Sequence, residues 1–298
     1  MNICRYLLIL MVFMAAPACA QNEPITVVAS FSILGDMVAQ IGGDAVHVKA
    51  LVGPNSDTHS YQPAPDDVRT LAKADIVFMN GLGLERWMMR LIEASATKAT
   101  IITATTSITP RSIIEGKNQR VTDPHAWQNL ANAHIYIKNI LDALIKAAPA
   151  HAEAFKKRAA HFDAQVTEMD QYIREQIDAI PAKKRVIITS HDTFGYFGDA
   201  YHITFKAPEG LSKDAQPSAA TITKLIDQIK AEHVKQVFIE TVTDSRLIKQ
   251  IGKDSGATMG GALYSDALSD AKGTAPHYLD MFRNNVPKLV DAMKANGS

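Results

Sequence analysis

Thiols are almost missing from this sequence: its 298 residues include two cysteines, Cys4 and Cys19. Both fall in an amino-terminal stretch with the three parts of an export signal: Arg5 as the positive charge, an apolar run from Tyr6 to Met14, and the small residues Ala18-Cys19-Ala20. The run is too short to span a bilayer, so residues 1–20 read as a cleavable signal peptide and the mature chain as periplasmic. Cleavage after Ala20 removes both thiols. Disulfides, cysteine nucleophiles and thiolate metal sites are then excluded, and any metal must be held by His, Asp or Glu. Lipidation of Cys19 is the alternative, but Ala16-Pro17-Ala18 lacks the bulky aliphatic residue such a site favours.

An excess of either charge sign is missing too, with 31 basic and 31 acidic residues and a formal net charge of +0. No basic footprint for nucleic acid exists. No segment after the signal is apolar enough to cross a membrane. What is present is the composition of a folded globular protein, 47% hydrophobic and 21% charged, which supports a sizeable core.

Short β-branched runs alternate with amphipathic stretches. Strands are expected at 25–29, 46–52, 75–79 and 100–103, with helices at 33–41, 66–73 and 85–93 between them. The pattern restarts after Pro181, with strands at 185–189, 203–205, 236–239 and 257–264 and helices at 193–201, 218–232, 245–253 and 276–293. Such alternation implies parallel, doubly wound sheets. The longest helical signal, His151 to Ile180, lies between Pro149 and Pro181, and Phe155, Ala159, Phe162, Val166, Met169, Ile173, Ile177 and Ile180 form one stripe along it. No Gly/Ser-rich hinge interrupts the join. The expected fold is therefore α/β: an amino-terminal lobe (24–148) and a carboxy-terminal lobe (182–298), each a doubly wound parallel sheet, joined by one long rigid helix (150–180).

Parallel α/β sheets build sites in the loops after the carboxyl ends of strands. His59 follows the second strand, His125 sits in Thr122-Asp123-Pro124-His125-Ala126-Trp127, His191 directly follows 186–190, and Asp266 follows the weak strand ending near Tyr264. Residues this far apart must be gathered by tertiary structure, two from each lobe. Three imidazoles and one carboxylate form a borderline-soft set that suits Zn²⁺. Glu240, at the end of another strand, is the candidate second carboxylate, either supporting a ligand or replacing one. Asp123 and Asp192 flank two of the histidines and could orient rings or cap helices. His134, His151, His161 and His233 read as helical, His47 and His202 as bordering strands, and His277 as starting the last helix; these seven read as structural or solvated. Gly81-Leu82-Gly83-Leu84 lacks the third glycine of a dinucleotide fingerprint and reads as a tight turn.

At Asp57-Thr58-His59-Ser60-Tyr61, Asn80 to Glu85, Asp123 to Trp127, Thr189 to Asp192 and Tyr264-Ser265-Asp266, in that order, the chain resembles the zinc- and manganese-binding solute-binding proteins of bacterial ABC importers, the ZnuA/TroA-like family. The likeness covers essentially the whole mature chain. It implies two lobes on a rigid linking helix, a metal between them held by His59, His125, His191 and Asp266, and an inner-membrane ABC permease as partner. A periplasmic metallochaperone is a further potential partner, and the protein is expected to act as a monomer. Histidine at the third position resembles the zinc branch, where manganese binders usually carry glutamate. The histidine-rich acidic loop of many zinc members is absent, since Arg111 to Val121 contains Glu115 but no histidine. The expected function is capture of Zn²⁺ for import rather than catalysis, with Mn²⁺ or Fe²⁺ transport as the alternative. A remoter alternative is a zinc hydrolase with Glu240 as general base; no HExxH motif supports it.

Overall fold

The computed structural model describes residues 23–115, 119–210 and 217–297. The expected signal peptide, with Cys4 and Cys19, lies outside them. In the amino-terminal half the elements run β1 (Ile25–Phe31), α1 (Ser32–Gly42), β2 (Val46–Val52), α2 (Pro65–Ala72), β3 (Ile76–Met79), α3 (Met88–Ser95), β4 (Thr100–Thr103), β5 (Ser112–Glu115), β6 (Gln119–Thr122) and α4 (Leu130–Ala147). α5 (Ala152–Asp178) follows, and then β7 (Val186–Ile188), α6 (Gly195–Tyr201), β8 (Thr204–Lys206), α7 (Ala219–Ala231), β9 (Gln236–Glu240), α8 (Arg246–Ser255), β10 (Thr258–Leu263) and α9 (Tyr278–Ala295).

Two four-stranded sheets result, ordered β2-β1-β3-β4 and β10-β9-β7-β8, with every pair parallel. Strand order reverses between β1 and β3 in one sheet and between β7 and β9 in the other, and the crevice beyond such a reversal is where this architecture receives a ligand. β1, buried along Val27-Val28-Ala29, forms the apolar centre expected of a strand covered on both faces. β10 is the weak strand because Phe238 of β9 lies against Gly260: a Cβ there would come within 2.4 Å of the ring.

α5 behaves as the periodicity requires. All eight stripe residues are buried, and one continuous apolar core includes them with β1, α4 and α9. At about 1.5 Å per residue its 27 residues reach about 40 Å. One helix therefore packs against both halves, with Phe162 meeting the Tyr278 ring of α9.

Three expectations are corrected. α3 starts at Met88, not Glu85, because the Glu85 carboxylate folds back onto the strand end: it accepts from Ser30 Oγ at 2.5 Å and from the amides of Asn80 and Gly81 at 2.6 and 3.1 Å. No strand was expected between 103 and His125, yet Ser112–Glu115 and Gln119–Thr122 form the antiparallel pair β5–β6. His233 is not helical but sits in the turn after α7, with φ of 52°. Of the helices, α4 goes beyond the alternation read above, which placed only His134 in helix. Among the described residues no helix is long and apolar enough to cross a membrane.

Replacing Phe162 by Ala should lower the unfolding free energy by about 3–5 kcal/mol, because it empties a buried site between the linking helix and α9. Glu168→Ala, on the exposed side of α5, should stay within about 0.5 kcal/mol of the parent. Urea denaturation of the metal-free protein compares them; equal midpoints would contradict the role given to the stripe.

Candidate metal centre

The loops carrying His59, His125, His191 and Asp266 meet at the carboxyl ends of the two sheets. One donor atom from each lies within 4.8 Å of every other. Nε2 of His59 is 3.1 Å from Nε2 of His125 and 3.6 Å from Asp266 Oδ2; Nε2 of His125 is 3.6 Å from Asp266 Oδ1, and Nε2 of His191 is 3.2 Å from Oδ2. Bonds of about 2.0–2.1 Å to a central Zn²⁺ would give a tetrahedron with edges of about 3.4 Å. These separations straddle that edge, so the donor set fits one ion.

Each donor is aimed by its own sequence neighbourhood. Asp57 accepts from the His59 amide at 3.0 Å and from Ser60 Oγ at 2.9 Å, and Trp87 Nε1 donates to the Thr58 carbonyl at 3.3 Å, which fixes the loop after β2. For His125, Oδ1 of Asp123 lies 2.8 Å from Nδ1 and accepts the backbone amide at 3.0 Å. That contact favours the proton on Nδ1 and leaves the Nε2 lone pair facing the cluster. Asn80 Nδ2 donates to the Pro124 carbonyl at 2.9 Å, tying this loop to the end of β3. In the carboxy-terminal lobe, Glu240 Oε1 accepts the amides of Ser190 and His191 at 3.1 and 2.9 Å, while Oε2 lies 2.6 Å from His191 Nδ1. Glu240 therefore sits on the side of the ring away from the cluster and outside the four-donor group. Thr193 Oγ1 donates to Asp266 Oδ1 at 2.9 Å, leaving Oδ2 as the oxygen nearer both His59 and His191.

The Asp266 loop belongs to one lobe but is held by the other. Trp127 Nε1 and Gln128 Nε2 both donate to the Ser265 carbonyl at 2.9 Å. On its far side, the Leu268 amide donates to Ser32 Oγ at 3.1 Å and the Leu268 carbonyl accepts the Asn55 amide at 2.8 Å.

Charge is balanced around this nest. Asp266, Glu240 and Asp123 bring three carboxylates, and Arg111 Nη1 contacts Asp123 Oδ2 at 2.9 Å. A doubly charged ion would cancel what remains. Burial pushes the Asp266 carboxyl up, but the neighbouring His191 and His125 outweigh it and hold it well below the usual carboxylate range. Burial alone would lower the His191 ring; Glu240 and Asp266 on either side outweigh it and push it up to about 10. Burial prevails at His59, which is lowered. The same opposition at Asp123, burial against the His125 contacts and the Arg111 charge, leaves it below its ordinary value.

Of the residues expected at the site, His59, His125, His191 and Asp266 come together, and Glu240 stands behind His191. Asp123 orients His125; Asp192 instead gives its amide to the Glu209 carbonyl. The other histidines lie outside the cluster. His134 pairs with Asp163 across α4 and α5 at 2.5 Å, and His277 with Asp36 at 2.7 Å. Thr193, Trp127, Gln128 and Arg111 were not singled out from the sequence as parts of the site. Local signals existed for Thr193, two residues after His191, and for Trp127 and Gln128, two and three residues after His125; Arg111 offered none.

Two parallel-sheet lobes on one long helix, with a nitrogen and oxygen nest in the cleft, are the build of the metal-binding substrate-binding proteins of ABC transporters. Residues 27–292 match the family model described as zinc-uptake complex component A, periplasmic, and the chain belongs to that family. It is 33% identical over 280 residues to the iron-binding protein YfeA of Yersinia pestis, covering 92% of this chain and 89% of that one. Against the manganese-binding lipoprotein MntA of Halalkalibacterium halodurans it is 29% identical over 301 residues, covering 98% and 99%. The solved structure of the periplasmic zinc binding protein TroA from Treponema pallidum superimposes with a TM-score of 0.84 at 27% identity, covering 91% of this chain and 99% of TroA. Proteins of this family bind a substrate for import and are not enzymes, which sets the hydrolase alternative aside. They work with the permease and ATPase components of the transporter.

An ion taking Nε2 of His191 must displace the proton that its neighbours hold there. At pH 7 to 9, below the ring's value of about 10, binding should release about one proton, and affinity should rise about tenfold per pH unit, flattening near pH 10. The dependence therefore extends well above the free-histidine value of about 6.5. Calorimetry in buffers of different ionisation heat counts the proton, and Glu240→Gln should reduce the count at pH 8. Zero release by the parent protein would contradict this charge arrangement.

Proposed function

We propose that this protein captures Zn²⁺ through Nε2 of His59, His125 and His191 and the carboxylate of Asp266, and delivers it to the inner-membrane permease of an ABC importer. The observation that carries the reading is the convergence of four donors, three of them nitrogen, at separations suited to one tetrahedral ion. Glu240 acts behind His191 by sharpening its basicity, as carboxylates behind metal-bound imidazoles do, and Asp123 does the same for His125. With all four positions filled by protein, no place is kept for an activated water, in keeping with a carrier.

Transport of Mn²⁺ or Fe²⁺ is the second reading, favoured by the names of MntA and YfeA, which are as similar to this chain as TroA is. Competition in vitro discriminates poorly, because nitrogen-rich sites bind Zn²⁺ above Mn²⁺ and Fe²⁺ by intrinsic order. The cellular content of a strain lacking this protein does better: zinc should fall while manganese and iron hold. A fall in manganese or iron alone would reassign the cargo.

Export to the periplasm is part of the proposal, with cleavage after Ala20. A lipid on Cys19 is the second route, favoured by the lipoprotein name of MntA. The mass of the mature amino terminus separates the two.

Binding that favours the folded state must stabilise it: at a hundredfold excess over Kd, Zn²⁺ should add about 2.7 kcal/mol, read as a rise in melting temperature. His191→Ala and Asp266→Asn should lose most of that rise, whereas His134→Ala, at the α4–α5 pair, should keep it. An undiminished rise in His191→Ala would place the ion elsewhere.

A further inference from the structure

Arg111 stands at the start of β5 in the amino-terminal lobe, yet α6 of the other lobe shapes its surroundings. Its Nη1 contacts Asp123 Oδ2 and its Nε contacts Asp199 Oδ2, each at 2.9 Å. Its backbone amide donates to Tyr196 Oη at 2.8 Å, and that hydroxyl reaches the Asp123 carbonyl at 3.4 Å. The guanidinium lies directly over Gly195: a Cβ there would stand 2.2 Å from Nη1 and 2.3 Å from Cζ. Gly195, Tyr196 and Asp199 of α6 thus form a cradle for one side chain of the opposite lobe.

Both ends of this bridge lead to the metal nest. Asp123 is shared, with Oδ2 on Arg111 and Oδ1 on the ring and amide of His125. α6 begins four residues after His191 and directly follows the stretch in which Thr193 holds Asp266. We propose that Arg111 is a positioning residue for the cargo ion, coupling the orientation of His125, through Asp123, to the contact between the lobes. With α6 in place the guanidinium fork pins one Asp123 oxygen and so aims the other at His125. Separating the lobes removes Asp199 and the Gly195 cradle, releases Asp123 to turn, and loosens the ion. Arginine suits this role because its planar fork engages two carboxylates in fixed directions, which a lysine ammonium does not. An ordinary partly exposed ion pair would contribute little; here Asp199 is 68% exposed but its partner reaches a fully buried carboxylate.

The coupling rests on the reading of His125 as a ligand, and the test separates the two. Zn²⁺ is loaded onto the mature chain and its release to excess EDTA is timed by stopped flow. Gly195→Ala displaces the guanidinium without altering any charge, and should speed release about tenfold, at the lower edge of the 10–100-fold cost of losing an outer support. The melting temperature of the metal-free protein should fall no further than in Arg111→Gln, since Ala suits the first position of a helix at least as well as Gly and the loss is confined to the Arg111 contacts. Asp199→Asn should speed release to a smaller degree, and Arg111→Gln should add nothing in an Asp123→Asn background. Release at the parent rate in both Gly195→Ala and Asp199→Asn would overturn the coupling. So would additivity of Arg111→Gln with Asp123→Asn, or a metal-free melting temperature that falls further in Gly195→Ala than in Arg111→Gln. A parent rate in His125→Ala would instead remove the ligand reading beneath it.

Discussion

A divalent ion can be buried between two protein lobes only if its charge is cancelled there, because an uncompensated charge away from water costs several kcal/mol at least. That constraint orders the cleft of this protein. Asp266 alone would leave an excess of positive charge on a bound ion; adding Glu240 and Asp123 overshoots it; Arg111 restores the balance. The carboxylates cannot all face the ion, since that would convert a nitrogen-rich site into an oxygen-rich one suited to harder metals. Two of them therefore act through imidazoles, at 2.6 Å from His191 Nδ1 and 2.8 Å from His125 Nδ1. Without an ion the nest has surplus negative charge, and the raised basicity of His191 is the response to it.

Orientation is the second half of the same constraint, and the fold supplies it from strand ends. Each lobe places its donors beyond the carboxyl edge of a parallel sheet, beside the reversal in strand order. The loops there are not left to themselves. Glu85 and Asn80 organise the end of β3 and reach Pro124; Glu240 at the end of β9 organises the turn after β7. The amino-terminal lobe also grips the Asp266 loop at Ser265 and at Leu268. A candidate donor of one lobe is thus held in place by the other, so the four-donor cluster exists only where the two meet.

Much of this could be read from residues in order, and the part that could not has a common cause. The stripe on α5 and the strand runs obey local periodicities, which sequence displays directly. His59, His191 and Asp266 could be picked out because each follows an expected strand, a topological position that alternation reveals; His125 was marked by its Asp-Pro-His stretch, since the β5–β6 pair before it was not foreseen. Glu240 was placed by the same rule, and the choice between ligand and support awaited the direction of its carboxylate. Glu85 misled because a helix-favouring residue after a Gly-Leu-Gly-Leu turn extends the helical pattern backwards, whereas the orphan amides at the end of β3 compete for its carboxylate and win. Arg111 left no local trace at all: its meaning depends on Gly195, more than eighty positions away, whose lack of a side chain reads as an ordinary helix-start glycine until the guanidinium is seen lying over it.

A rigid brace such as α5 changes what coupling between the lobes must consist of. In proteins hinged on flexible strands, large rotations carry the signal that a ligand is bound. Here a single helix of about 40 Å is packed along one face of both lobes, its stripe buried throughout. A brace packed in this way resists large rotations, and smaller displacements register most at contacts with sharp directional dependence. Hydrogen-bonded forks and shared carboxylates are such contacts, whereas apolar packing tolerates sliding. The polar bridges across this cleft, at Ser265, Leu268 and Arg111, lie on the side where the donors converge, opposite in role to the apolar stripe that fixes the lobes together. Stability and responsiveness are therefore assigned to different chemistry: burial along the helix holds the lobes, and oriented polar contacts at the cleft translate their exact apposition into the geometry of the donor set.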